Sequence, residues 1–425
     1  MAGLRGVFVD TAPLRTSPDF RRLWGAELVG SAAHQLVAVA VPYQVYLLTG
    51  SSLAVGLVGA AELVPLLLGS LAAGGVVDAH DRRRMLVVSQ LGAAACAGAL
   101  ALLAWAGSPP LAAVYAVAAA IAAFVSIEAP VRTASIPDLV GRGSLPAALA
   151  LNQIVDQTTA LAGPALAGLL LASAGVTTAY VTAIAGFAIA LVAVARVRPL
   201  PPSPGAGPSR GWAAIREGLA FARSTPVLLS TFVIDLNAMI FGMPRALFPA
   251  LAVTTYHVGP EGLGLMYAAP GAGALIGAAA SGWVGRVQRQ GLAVVVSVVA
   301  WGAAIVGFGL VPRGWFPLAL VLLAAAGWAD VISAVFRNTI LQLVAPDAMR
   351  GRLTALHIAV VTSGPRLGDV EAGAVAAATS LRFSVVSGGF LCIAGVALMH
   401  AVSPGLARYR RRDPADARLR PPPRA

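Results

Sequence analysis

The sequence predicts an all-α integral membrane protein of twelve transmembrane helices in two six-helix pseudo-symmetric bundles. Three observations predict it. Of 425 residues, 58% are apolar and only 11% are charged, whereas a water-facing surface needs roughly 25% charged residues. Twelve apolar runs are each long enough, at about 1.5 Å of rise per residue, to cross a hydrocarbon core of about 30 Å. The arginines cluster in alternate gaps between those runs.

The runs cover approximately residues 22–48, 52–77, 85–106, 110–132, 146–173, 176–197, 227–254, 261–285, 291–312, 315–337, 353–379 and 383–404. The first is too long for the core of a cleavable signal and is interrupted by Glu27, His34 and Gln35, so it reads as a retained span. No water reaches a free N–H or C=O in hydrocarbon, so every span must be helical. The abundance of Gly, Ala and Ser lets neighbouring helices approach closely.

All 30 basic residues are arginine. With the N-terminus in the cytoplasm, 26 of the 30 fall in inside segments. Only Arg313 and Arg382 lie outside, and Arg245 and Arg366 lie within spans. The positive-inside rule therefore puts both termini in the cytoplasm, with the chain multi-pass in the inner (plasma) membrane.

Between the sixth and seventh runs, Pro199, Pro201, Pro202, Pro204 and Pro208 predict an extended linker. The segment GWAAIREGLAFARS follows, where Trp212, Ile215, Leu219 and Phe221 with Arg216 and Arg223 predict an amphipathic helix on the inner membrane face. The predicted organisation is an N-terminal six-helix bundle over 1–197, a cytoplasmic linker over 198–226, a C-terminal bundle over 227–405 and a basic cytoplasmic tail over 406–425.

A shift of 208 residues carries Gly56, Leu57, Ala60, Ala61, Gly69, Ala72, Gly74 and Val76 onto identical residues at 264, 265, 268, 269, 277, 280, 282 and 284. A shift of 205 brings Arg132, Ala150, Leu151, Gly163, Ala167 and Gly168 onto Arg337, Ala355, Leu356, Gly368, Ala372 and Gly373. Duplicated halves predict a transporter with its site between the repeats near the bilayer midplane.

Other classes are disfavoured. The net charge of +12 does not form a stripe along one helical face, so nucleic acid is not an expected partner. Cys96 and Cys392 sit inside apolar runs and read as small core residues, with no disulfide framework and no metal site. No phosphate-binding G-x-x-x-x-G-K-[ST] occurs and no nucleophile, base and ligand set is grouped, so neither an enzyme nor an ATP-driven pump is expected, and no cofactor. The expected partners are a small-molecule substrate, protons and membrane lipid, with the chain a monomer.

The stretch Gly74-Gly75-Val76-Val77-Asp78-Ala79-His80-Asp81-Arg82-Arg83 resembles the G-x-x-x-D-R-x-G-R-[RK] loop of the major facilitator superfamily, matching at Gly74, Asp78, Arg82 and Arg83 and departing at Ala79 and Asp81. The resemblance implies a charge clamp on the inner face that favours the outward-facing state, its arginines pairing across the cytoplasmic seam; an ordinary solvated turn is the alternative. Gly163-Pro164-Ala165-Leu166-Ala167-Gly168 is similar to the G-P-x-x-[GA]-G motif associated with exporters and antiporters. A proline there removes an amide donor and kinks the helix, while Gly163 and Gly168 allow tight packing. Ala150 and Thr159 stand where that pattern has further upstream glycines. Across nearly the whole chain, stretches such as SPDFRRLWGAELVGS, RALFPALA, LGLMYAAPGAGALIGAAASG and PDAMRGRL resemble the enterobactin exporter subgroup. This implies the major facilitator fold and export of a siderophore-like molecule.

Ionisable groups inside spans are costly and therefore candidate functional groups. Glu62, Glu128, Asp156, Asp235, Arg245, Asp330, Arg366, Asp369 and Glu371 qualify. Asp156 shares a helical face with Asn152, and Gln157 shares the adjoining one with Gln153, which gives a polar stripe toward a cavity. Asp156 reads either as a proton or substrate site or as a structural hydrogen-bonded acid. Glu62 has no local counter-charge and must be protonated or paired with another helix. Arg245 either faces an anionic cargo or reaches the outer headgroups. Asp235 stands about 15 Å from Arg245 along the helix axis and cannot pair with it. Arg366 and Asp369, three residues apart, predict an intrahelical ion pair. His34 stands where the subgroup commonly has an acid, and reads as a proton-coupling group or a hydrogen-bonded core histidine.

The function expected is a secondary active transporter: a proton-coupled exporter of a siderophore-like or amphipathic small molecule by alternating access. Uptake or uniport on the same fold, and a non-transporting scaffold or sensor, are the alternatives.

Overall fold

The computed structural model describes residues 10–201 and 211–410, with all side chains in that range except those of 70–78, 211 and 348. The long helices start where local chemistry dictates. Helix α1 (Pro18–Thr49) opens on Ser17, whose hydroxyl accepts the Phe20 N–H at 3.2 Å, with Pro18 in the first turn, where its missing N–H is not needed. Helix α2 (Ser52–Ala79) is capped by Ser51, which accepts the Ala54 N–H, and α3 (Arg82–Trp105) by Asp81, which accepts the Arg84 N–H at 2.9 Å.

From Leu111 to Ala195 the chain is helical apart from two glycines, Gly141 (φ 72°, ψ 168°) and Gly175 (φ 78°, ψ 178°). Only glycine adopts that region readily, so these two residues turn one run into three helices: α4 (111–140), α5 (142–174) and α6 (176–195). Helix α5 passes through Pro164 with helical dihedrals.

The seventh span, expected over 227–254, runs Pro226–Thr255 and is broken inside, its first part being helix α7 (Pro226–Phe241). This helix stops at Gly242, and after Pro244 the chain continues as a 3-10 turn (Arg245–Leu247), a short helix (Phe248–Ala250) and a π turn (Leu251–Thr255). Gly242, Pro244 and Pro249 together remove the regular ladder. The carbonyl of Gly242 instead accepts the indole N–H of buried Trp301 at 2.8 Å, so the break leaves that group satisfied. Helices α8 (Gly259–Ala279), α9 (Gln290–Leu310), α10 (Phe316–Val344), α11 (Asp347–Ala378) and α12 (Leu381–Val402) complete the set. Helix α8 is followed by a 3-10 segment, Ser281–Arg286, where the sequence suggested one continuous span to 285.

The molecule is an all-helical membrane protein in two bundles. Helix α1 packs against α4–α6 and α3 against α4 and α6, while α10 packs on α8 and α9, and α9 on α12. The bundles meet along two seams, α5 against α8 and α2 against α11. At the first, a Cβ on Gly168 would lie 2.7 Å from the Gly264 Cα, so only paired glycines permit the approach.

The linker helix Gly211–Ser224 forms as expected, but its apolar side is covered by protein. Ile215 and Ala222 are buried with Leu228, Phe232 and Leu353, and Glu217 pairs with Arg352 at 2.7 Å. Trp212 is 69% exposed. The expected prolines 202, 204 and 208, and most of the basic tail, lie outside the described residues.

Candidate substrate cavity

Between the bundles lies a cavity of about 350 Å³. Its walls come from α1, α2, α4 and α5 on one side and from the broken α7, α8 and α11 on the other. Apolar side chains, among them Val37, Val41, Val55 and Ile121, make much of the surface. Into it project His34, Glu62, Arg245, Tyr267, Arg366 and Asp369.

These groups are held in a definite way. The Arg366 Nε donates to Glu62 Oε2 at 3.1 Å, an ion pair that joins α11 to α2 across the seam. This corrects the expected intrahelical Arg366–Asp369 pair: Asp369 instead accepts the backbone N–H of Ala246 at 3.1 Å, tying α11 to the turn after the α7 break. A carboxylate on another helix outcompetes the neighbour on the same helix because the seam brings Gly56 and Gly59 of α2 against the α11 backbone at Asp369 and Arg366. Arg245 stands on the 3-10 turn and lines the cavity, so it does not reach for headgroups. The Tyr267 hydroxyl donates to its backbone carbonyl at 3.2 Å. His34 also lines the cavity, and its Nδ1 is buried without a hydrogen-bond partner among the described residues.

A second arrangement lies inside each bundle, nearer the arginine-rich end. In the first, buried Glu27 of α1 pairs with Arg132 of α4 and accepts the Ser31 hydroxyl at 2.9 Å. Glu128 and Asp156 each stand 3.8 Å from the same guanidinium, and Gln90 donates to Glu128 at 2.8 Å. In the second, Asp235 of α7, 1% exposed, pairs with Arg337 of α10 at 2.8 Å. Asp330 lies 3.8 Å from Arg337, and His357 of α11 lies 3.8 Å from Asp235.

The sequence reading missed the arginines of both centres, which it took for ends of cytoplasmic segments. The signal was present: the 208-residue shift that aligns α2 with α8 also carries Glu27 onto Asp235, and the 205-residue shift already paired Arg132 with Arg337. A repeat that aligns an acid with an acid and an arginine with an arginine marks a repeated ion pair.

The remaining expected residues divide. Asp156, with its side chain 44% exposed, lies one turn below Ala160 of the cavity wall, and Asn152 and Gln157 are part-exposed on the same helix and make no side-chain hydrogen bond to a described group. Asp235 belongs to the second buried centre and not to the cavity. Gly163 packs on Gln35 of α1, Pro164 lines the cavity and Gly168 meets α8, so this motif spans from cavity to seam.

In the loop after α2, the expected clamp across the seam is not what Arg82 and Arg83 make with described groups. Arg82 pairs with Asp138 at 2.5 Å and donates to the Ala134 carbonyl, and Arg83 donates to the Ala195 carbonyl at 2.7 Å, all within the first half. Asp81, a departure from the family pattern, provides the α3 cap and accepts the Leu200 N–H, binding the loop to the end of the first bundle. Gly74 and Asp78 fall on α2 but outside the described side chains.

Known proteins agree with this architecture. The profile of the transmembrane secretion effector family matches residues 9–417. The enterobactin exporters EntS of Citrobacter koseri and of Shigella boydii serotype 18 are each 31% identical over 406 residues, covering 94% of this chain and 95% of theirs. Among solved structures, a POT family transporter in complex with 5-aminolevulinic acid superposes with a TM-score of 0.74 at 10% identity, over 92% of this chain and 97% of that one. A bacterial homologue of the human lysosomal transporter Spinster, inward-facing and unoccupied, gives 0.74 at 13% identity over 95% and 100%. A two-bundle membrane protein with twelve long helices among the described residues and ionisable groups in its central cavity, matched by that profile over nearly its whole length, is a transporter and not an enzyme: the chain belongs to the transmembrane secretion effector family of the major facilitator superfamily.

Proposed function

We propose that the chain is a proton-coupled exporter of a small amphipathic, siderophore-like molecule, working by alternating access. It sits in the inner membrane as a monomer with both termini cytoplasmic. The observation that carries the reading is the cavity itself, walled by both bundles and holding ionisable groups from each. The two seams meet at the arginine-poor end, which the positive-inside rule makes the outer end, so the structure corresponds to the state closed to the outside. The moving bodies are the segments 1–197 and 227–405, joined by the linker 198–226, with the tail 406–425 on the inner side.

Proton coupling rests on charge counting. In the first bundle three carboxyls, Glu27, Glu128 and Asp156, surround the single guanidinium of Arg132. Full ionisation leaves two uncompensated negative charges in a low-dielectric setting, and a proton on the cluster relieves one of them. Asp156 is the member that reaches solvent, so it is the entry point. Such a proton shifts the inward and outward populations only through a difference in affinity between the two states. The relatives named as enterobactin exporters support the outward direction and the siderophore-like cargo class.

The test uses proteoliposomes containing a pH-sensitive dye and a panel of amphipathic metabolites, catecholates included. Proton counterflow on adding cargo, reduced at least tenfold in Asp156→Asn, is expected. Flux without proton movement, or wild-type coupling in Asp156→Asn, overturns the coupling assignment. Flux only in the uptake direction overturns export.

A further inference from the structure

Of the four charged side chains in the cavity, three are already engaged. Arg366 is held by Glu62, and Asp369 accepts the Ala246 amide. The Arg245 guanidinium is the exception: Asp369 and Asp330 act on it only at longer range, and among the described residues no carboxylate oxygen lies within 4.0 Å of it and no side chain or carbonyl accepts a hydrogen bond from it. Ionisable groups at membrane depth are ordinarily paired in direct contact. The chain also goes to some length to hold this arginine in place. The α7 break turns residue 245 toward the cavity, the Tyr267 hydroxyl fixes its carbonyl, and Asp369 fixes the next amide.

We propose that Arg245 is an anion subsite, and that the cargo carries an oxyanion group of the carboxylate, phosphate or sulfonate type which completes the ion pair the protein leaves open. Guanidinium presents parallel N–H donors that match two oxygens of such a group. The apolar remainder of the wall, Val37, Val41, Val55 and Ile121 among it, receives the body of the molecule, and about 350 Å³ suits a small organic anion. This rests on the cavity being the cargo site and narrows the cargo class.

The subsite makes a further claim that a structural arginine does not. A structural guanidinium loses partners when replaced, and the protein melts earlier. Arg245→Gln breaks no hydrogen bond or contact ion pair with a described group and loses only the longer-range attraction of Asp369 and Asp330, so the unligated variant should melt close to the wild type.

The experiment uses the full chain in lipid nanodiscs, with a panel of aromatic carboxylates such as naphthalene-2-carboxylate, each paired with its uncharged amide. Thermal midpoints are measured against concentration for wild type, Arg245→Gln and Arg245→Lys. At least one carboxylate is expected to stabilise the wild type saturably and at least tenfold more tightly than its amide. Arg245→Gln should abolish that preference, and Arg245→Lys should retain part of it. A panel in which no carboxylate outbinds its amide overturns the proposal, as does a preference that survives in Arg245→Gln or a large drop in the midpoint of unligated Arg245→Gln. Failure of the transport reading looks different: carboxylates bind through Arg245 while no flux is detected. Proton-coupled flux that ignores Arg245→Gln rejects the subsite alone.

Discussion

The two seams between the bundles are the same contact by pseudo-symmetry, yet they are built from different chemistry. At α5 and α8, Gly168 meets Gly264 backbone to backbone, and Gly271 packs on Ala160 and Leu161. At α2 and α11, Gly56 and Gly373 make the corresponding close approach, to the backbone at Val370 and Leu53. The 208- and 205-residue shifts place Pro270 and Leu161 in the first seam where Glu62 and Arg366 stand in the second, and Pro164 where Asp369 stands. One seam is therefore a contact of apolar side chains and backbone, although its Ala160, Pro164, Pro270 and Gly271 also line the cavity. The other adds a charge pair, Glu62 with Arg366, that lines the cavity and is open to any solute that enters it. Symmetry repeats the glycine contact, and the charge pair is the part it does not repeat.

The largest test attacks the apolar seam. Gly264→Leu puts a side chain where the nearest atoms are backbone, with no flexible neighbour to yield. Overpacking of this kind costs about 3 kcal/mol, which is about a 100-fold shift away from the state closed at the arginine-poor end. With Cys96 and Cys392 replaced by alanine, a reporter pair Ser173→Cys and Glu261→Cys should cross-link in the parent and fail to do so in Gly264→Leu. Unchanged cross-linking contradicts the seam assignment.

A smaller effect is expected at the charged seam. Glu62 and Arg366 are each about one-quarter exposed, between a surface pair and a buried one. Arg366→Glu places two acids face to face and should cost the closed state about 1–2 kcal/mol, roughly a tenfold loss of cross-linking between Ser51→Cys and Thr379→Cys. The exchange Glu62→Arg with Arg366→Glu should recover most of it. Recovery shows that attraction across the seam, and not the identity of either residue, is what matters.

These positions also show how far the sequence could be read. Span number, bundle pairing and the linker helix were legible because hydrocarbon forces a fixed length and a helical backbone on every crossing. Glu62 was legible as a residue that must find a partner on another helix, but not which one: Arg366 has Asp369 three residues away, and only the glycine-mediated approach of α2 decides the competition. The break in α7 was masked because Gly242, Pro244 and Pro249 sit in a predominantly apolar run, where hydropathy is blind to backbone geometry. Arg132 and Arg337 were read as flanking charges because α4 and α10 continue several residues past the end of their most apolar stretch. A residue at the edge of a hydropathy window can still be buried when its helix extends beyond the membrane-like segment and packs against neighbours.

The smallest prediction separates the seams without any substitution in either. Raising the salt from 0.1 M to 1 M shortens the screening length from about 10 Å to about 3 Å. The Glu62–Arg366 pair, open to the cavity, should weaken by a few tenths of a kcal/mol, a change of about twofold or less in the Ser51/Thr379 cross-link. The Ser173/Glu261 cross-link, across a contact made of glycine and proline backbone, should not fall, because exclusion of salt from apolar surface holds such contacts or tightens them. Equal salt sensitivity at both seams erases the contrast drawn between them. A fall confined to α2 and α11 identifies that seam as the one through which solution conditions act on the conformational equilibrium.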